Sequence, residues 1–267
     1  MSKPILMVAL LTFVIHFVQI LTFAIRIVGL RTRKYTVSFA LFNALALLPR
    51  FANSLQAPIL AKTIEGNILK GHVQPSTDFH LIIFAATLAV LGGILIVPTF
   101  QRIMTLGVLR YYEVESIPKV LFGAFNLRVL RRLRTCIVLP RWENMARLKD
   151  TTHIPKRVLL LQTLTYAAFT TCVLSCLYAG VLHPEMRATC SAMASFINGF
   201  FIVISVLFVD PEIGLLNEKV DDGLYSHAHF RKYTFLALLA CCTGTLIAQV
   251  LFLPLAHLVV MVINLMG

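Results

Sequence analysis

The chain has 267 residues, of which 58% are hydrophobic and 13% are charged, and its mean hydropathy is +0.82. Soluble domains carry about 25% charged residues, so this composition excludes a soluble globular protein and predicts an all-α integral membrane protein. The net charge of +12 follows the alternation of the loops described below, which makes nucleic-acid binding a poor explanation for it.

Six apolar runs approach or exceed the length of about 20 residues that crosses a hydrocarbon core as a helix. They predict six transmembrane helices, here called spans one to six, in a single polytopic domain covering residues 1–267. The first run is too long for a signal peptide, so we expect it to stay in the mature protein. The predicted spans are residues 4–28, 36–60, 79–105, 157–182, 188–209 and 234–264.

Basic residues alternate between the loops. Sixteen of the 24 lysines and arginines lie in loops one, three and five, and four lie on the opposite side. Positive charge near span ends favours the cytoplasm, so we expect these three loops, including the long loop 106–156, to be cytoplasmic. Both termini are then outside the plasma membrane, and the basic loops attract anionic lipid headgroups.

Span one carries a polar stripe that includes His16, Gln19 and Arg26. Arg26 with Arg31 and Arg102 predicts a basic mouth on the cytoplasmic side, where guanidinium groups bind phosphate oxygens bidentately. Two alternatives remain. The arginines would also be explained by side chains that reach the membrane interface, and His16 by an interhelical hydrogen bond.

Span two contains Arg50 near its centre, where an arginine costs about 2.5–3.5 kcal/mol on insertion scales. At about 100° per residue, one helical face carries Asn43, Arg50, Asn53, Ser54 and Ala57. This face predicts a site for an anionic ligand. The alternative is an interhelical seam of hydrogen bonds that only holds the bundle together.

The loop between spans three and four has helical periodicity over residues 117–138, with apolar residues on one side and four arginines on the other. This pattern predicts a basic amphipathic helix on the inner membrane surface. It would serve as a topology anchor or gather anionic headgroups at a cytoplasmic opening.

Small residues and prolines mark spans three, five and six. Ser191, Ser195 and Gly199, like Gly244 with Ala248, recur every four residues and predict close helix packing, within one chain or between two copies in a homo-oligomer. Pro98 and Pro211 are expected to break or to end their helices near the cytoplasm.

Signals for catalysis, metal or cofactor binding are absent from the sequence. All twelve acidic residues lie in loops or at span ends, so no carboxylate pair meets at mid-membrane. The group of Asp221, Asp222, His227 and His229 matches no standard metal spacing. A polar interior without catalytic groups favours a transporter over an enzyme.

Several strings resemble the Amj family of bacterial lipid II flippases, the alternates to MurJ. They are MVALLTFVIH at 7–16, RIVGLRT at 26–32, LFN at 41–43, RFANSLQAP at 50–58 and PTF at 98–100. The resemblance implies translocation of lipid II, the undecaprenyl-diphosphate-linked disaccharide pentapeptide, from the inner to the outer leaflet. A membrane enzyme or a scaffold acting on lipid-linked cell-wall intermediates is the alternative.

With that substrate, Arg26, Arg31 and Arg102 are expected to capture the diphosphate, and Arg50 to receive it deeper in the membrane. The groups expected to hydrogen-bond the sugar–peptide head are those of Asn43, Asn53, Gln56, His16 and Gln19. We expect spans one to three to enclose one polar cavity, with His16, Gln19, Asn43, Arg50, Asn53 and Arg102 on its wall.

Overall fold

A computed structural model describes residues 3–123, 135–138 and 154–266. Six helices are long and apolar enough to cross a membrane, which confirms the predicted all-α membrane fold, and the described residues form no strand. The spans are Lys3–Thr32, Tyr35–Leu69, Ser76–Val114, Lys156–Leu182, Pro184–Asp221 and His227–Leu265.

The helices extend beyond the apolar runs from which they were predicted. Span two continues to Leu69, span three to Val114 and span five to Asp221. Hydropathy marks only the part of a helix that suits lipid, whereas backbone hydrogen bonding continues until a residue interrupts it. Of the predicted amphipathic helix, the structure describes a helix at Ile117–Gly123; residues 124–134, with all four of its arginines, lie outside the described residues.

The prediction that prolines break or end their helices is wrong for Pro98, whereas the regular α-helix is interrupted before Pro211. Pro98 lies inside span three. In span five, a π-helical segment, Ser205–Val209, precedes Pro211, which occupies the first turn of the helix Asp210–Asp221. The Asp210 N–H donates to the Ser205 carbonyl, and a proline has no N–H to donate, so the regular α-helical hydrogen bonding of span five is interrupted just before Pro211 while the span continues past it.

The spans pack as two triplets. Span one contacts both span two and span three extensively, and span four does the same with spans five and six. The triplets meet mainly through spans three and six. Each triplet is therefore built around its first helix, although the two halves show no convincing match in sequence.

Two apolar clusters define the two ends of the bundle. The first joins the beginning of span one at Ile5 to the end of span two at Ile64 and the beginning of span three at Phe79. The second joins the end of span one at Leu30 to Phe230 at the start of span six. Adjacent spans are thus antiparallel. We call the end that holds both termini the terminal face, and the opposite end the loop face.

Small residues allow close contact between spans four and six, but no such contact forms at Gly199 of span five. A Cβ atom on Gly244 would lie 2.8 Å from the carbonyl oxygen of Thr163, so spans four and six touch through their backbones as predicted. A Cβ atom on Gly199 would meet nothing within 4 Å. Within one chain, therefore, no helix packs closely at Gly199, and packing of this face between two copies stays a prediction.

Candidate functional site

A polar cavity of about 260 Å³ lies between spans two, four and five. Its floor is apolar and comes from span four, whereas spans two and five supply amide and hydroxyl groups. Its lining residues are Asn53, Ser54, Ala57, Val173, Leu177, Ser191, Ala194, Ser195 and Asn198. We call it the central cavity.

The span-two wall is the face that carries Arg50. Arg50 lies one turn before Asn53 and Ser54, and its backbone carbonyl accepts a hydrogen bond from the Ser54 hydroxyl at 3.0 Å. Its side chain is exposed, and no carboxylate among the described residues pairs with it. Arg50 therefore lies on the loop-face side of this polar face without a paired carboxylate in the described residues, and its side chain does not itself line the central cavity.

The span-five wall consists of residues that the sequence analysis assigned to packing or did not select. Ser191 and Ser195 face the central cavity together with Asn198. Small-residue spacing is the same for a packing face and for a polar wall, so the serines alone do not separate the two. Asn198, one turn beyond Ser195, could have indicated a polar wall, because an amide group exposed to lipid without a hydrogen-bond partner is energetically costly.

An ion pair joins spans two and five beyond the terminal end of the central cavity. The Arg187 guanidinium Nε lies 3.6 Å from Glu65 Oε1, and both side chains are about half exposed. Arg187 is one turn from Ser191, and Glu65 is about two turns from Ala57. The pair bridges these two spans near the terminal face.

The predicted stripe of span one does not reach the central cavity. His16 is buried, and its Nδ1 lies 3.1 Å from the hydroxyl of Tyr166 on span four. Gln19 is half-buried, and its Oε1 has no hydrogen-bond partner in the described part of the chain. The prediction of one cavity enclosed by spans one to three is wrong because packing against span four takes up the histidine.

The three predicted capture arginines do not share one cavity. Arg26 donates to Asp210 of span five at 3.1 Å, and its guanidinium carbon lies 5.7 Å from the ring centre of Phe23. Arg102 is exposed and lines neither of the two cavities described. Sequence reasoning missed Asp210 as a partner because nothing local connects it to span one.

Arg31 lines a second cavity, of about 330 Å³, at the loop face between spans one, three and six. We call it the loop-face cavity. Its lining residues are Ile27, Leu30, Arg31, Gln101, His227, Phe230 and Arg231. Span three thus contributes Gln101 to the loop-face cavity, and not the neighbouring Arg102. Span six contributes His227 and Arg231, which were not predicted to bind a ligand.

The remaining predicted residues lie along span two. Asn43 is exposed, two turns before Arg50, and Gln56 is buried on another side of the helix from the central cavity. In the described ranges, no group of three or more histidine, cysteine, aspartate or glutamate residues could hold a metal ion.

Comparison with known proteins gives one consistent result. The family model described as "Amj: Alternate to MurJ" matches residues 11–263. A similar protein is the "Lipid II flippase Amj" of Bacillus subtilis (strain 168), which is 28% identical over 247 residues that make up 91% of this chain and 90% of the relative. No solved structure matches the chain. The matched region contains both cavities and Arg50.

Proposed function

Because the chain belongs to the Amj family of alternates to MurJ, we propose that it is a lipid II flippase of the bacterial plasma membrane. Its relative in Bacillus subtilis carries the name lipid II flippase, and the match extends over nearly the whole of both chains. We further propose that the polar headgroup passes between spans two and five, while the prenyl tail stays in lipid.

The observation that carries this route is the pair of polar faces across the central cavity. Asn53 and Ser54 of span two oppose the polar residues of span five that line the cavity, such as Ser195. Elsewhere, span five carries exposed apolar side chains such as Phe196 and Phe200. Amides and hydroxyls suit the sugar and peptide groups of the headgroup. The route is therefore polar where a headgroup would cross and apolar where lipid would contact the helix.

Arg50 is the proposed partner of the diphosphate on this route. It lies about midway along span two and has no carboxylate partner within the described residues. Retaining a charge at that depth costs about 2.5–3.5 kcal/mol, and a guanidinium fork regains that through two parallel bonds to phosphate oxygens. The substrate would thus supply the missing counter-charge.

The size of the central cavity implies movement. Sites for drug-sized ligands occupy about 300–1,000 Å³, whereas this cavity measures about 260 Å³ and lipid II has a larger headgroup. Spans two and five must therefore separate during transport. Their ion pair at Glu65 and Arg187 is half exposed, which makes it a weak tie.

The charge distribution supports an orientation with the loop face in the cytoplasm and both termini outside. The protein would then move lipid II from the loop face to the terminal face. We also propose that it performs no covalent chemistry, since Glu65 of span two and Asp210 of span five, the two spans that supply the polar groups of the central cavity, each pair with an arginine.

The test replaces Arg50 by alanine in cells depleted of other lipid II flippases, with leaflet-specific detection of lipid II. The variant should accumulate in the membrane at normal levels but lose transport, and Arg50→Lys should retain part of it because an ammonium lacks the bidentate fork. Lys62→Ala removes a charge from an exposed position of the same helix and should leave transport unchanged.

Normal transport by Arg50→Ala at normal abundance would overturn the role of Arg50. Chemical conversion of lipid II by the purified chain would favour an enzyme of lipid-linked intermediates instead. If substitutions in the loops abolish transport while substitutions in both walls of the central cavity do not, the protein would instead be a scaffold.

A further inference from the structure

The loop-face cavity combines two arginines from opposite halves of the chain. Arg31 lies in the last turn of span one, and Arg231 lies one turn into span six. His227 and Gln101 add an imidazole and an amide to the same wall. These four side chains come from spans one, three and six, so the cavity is built by both triplets.

Neither arginine has a carboxylate to balance it. In the part of the chain that the structure describes, no acidic oxygen lies within 4.0 Å of Arg31 or Arg231, whereas four other arginines are paired. Those four are Arg26, Arg33, Arg110 and Arg187. Two like charges facing one cavity repel each other, and an anion between them would remove that repulsion.

The rest of the cavity wall is apolar. Ile27, Leu30 and Phe230 are almost completely buried and belong to the core cluster of the loop face. These packed side chains limit access of water to one side of the cavity, and charge-assisted hydrogen bonds are stronger where water is excluded. The lining therefore suits an anion, and its attachment to a lipid follows from the proposed function.

We propose that the loop-face cavity is the loading site for the diphosphate of a prenyl-linked substrate. This rests on the proposed function, because it names where the substrate binds before it enters the route between spans two and five. Arg31 and Arg231 hold the phosphate oxygens through their guanidinium forks, and Gln101 and His227 hydrogen-bond the remaining oxygens. A bound diphosphate links span one to span six, and thus one triplet to the other.

The experiment measures binding of radiolabelled farnesyl diphosphate to the full-length chain purified in detergent. We expect saturable binding that inorganic pyrophosphate competes for less effectively than unlabelled farnesyl diphosphate does, because pyrophosphate lacks the apolar chain. The double variant Arg31→Gln with Arg231→Gln should bind at least about tenfold more weakly, since both charge-assisted pairs are lost.

The matched control is Arg33→Gln with Arg110→Gln. It removes the same charge from the same face but from arginines that pair with Asp221 and Glu113, so its affinity should stay within about twofold of the wild type. The two cavity arginines are exposed, and both double variants should unfold at the wild-type temperature. Arg231→Lys, which keeps the charge, should show an intermediate affinity and provides a milder second variant.

Unchanged binding in the double variant and in Arg231→Lys overturns this inference. Competition by phosphatidylglycerol as strong as that by farnesyl diphosphate also overturns it, because the cavity would then hold any anionic lipid. The leaflet assay separates this failure from failure of the proposed function. A wild-type chain that does not move lipid II refutes the function, whereas normal transport by a double variant with wild-type affinity refutes only the loading site.

Discussion

Removing the ion pair between Glu65 and Arg187 should expose the central cavity to the terminal face without destabilising the fold. The two atoms are 3.6 Å apart, and the side chains are 50% and 45% exposed. Pairs this exposed contribute about 0.2–1 kcal/mol, and a free energy of about 1 kcal/mol changes an equilibrium about fivefold. Arg187→Gln should therefore raise the population in which spans two and five separate by at most about fivefold.

The assay uses a Ser191→Cys reporter on the cavity wall and a membrane-impermeant maleimide added from the terminal face, with reporter-free protein as the background. Labelling should quicken in Arg187→Gln, stay slow in Arg187→Lys, and return to the slow rate when Glu65→Arg is combined with Arg187→Glu. High salt should quicken labelling of the reporter chain itself, because it screens an exposed pair.

Two results would refute this reasoning about the ion pair. If the charge-swapped chain labels as quickly as Arg187→Gln, the pair is not the tie between spans two and five. If Arg187→Gln quickens labelling about a hundredfold, the change corresponds to nearly 3 kcal/mol, and Arg187 must hold more than an exposed ion pair can account for.

Two further predictions concern topology and packing. Cysteines at Lys119 and Lys70 should label from the cytoplasm and from outside respectively, because loop three carries far more basic residues than loop two; labelling of the first from outside intact cells would reverse the orientation. Gly244→Leu should lower the thermal unfolding temperature, since its Cβ meets the Thr163 carbonyl at 2.8 Å and overpacking costs about 1–3 kcal/mol. An unchanged unfolding temperature would mean that spans four and six separate at no cost.

Local patterns in the sequence predicted the spans and the polar face of span two. Apolar length is a property of consecutive residues, and so is the helical phase that aligns Arg50 with Asn53 and Ser54. The structure retains both, because a helix keeps its own periodicity whatever it packs against. The prediction was weakest at helix ends, because hydropathy decreases several residues before the helical backbone hydrogen bonds end.

Partners across the fold could not be predicted in this way. Arg26 meets Asp210, which lies 184 residues away, and Arg31 shares its cavity with Arg231. Both encounters depend on how the two triplets associate, which no single span encodes. The predicted cavity between spans one and two is wrong, whereas the alternative of an interhelical hydrogen bond from His16 is confirmed, with a partner, Tyr166 of span four, that span one alone could not identify.

The π-helical segment Ser205–Val209 changes the direction in which the later side chains of span five point around the helix axis. At about 100° per residue, an uninterrupted α-helix would put Asp210 about 120° around the axis from Asn198. The wider turn accommodates one extra residue and removes about 100° of that difference, so both residues point nearly the same way. The number of residues in this segment is therefore as much constrained as their identity, since losing one would turn the Asp210 carboxylate away from Arg26 while leaving every side chain chemically intact.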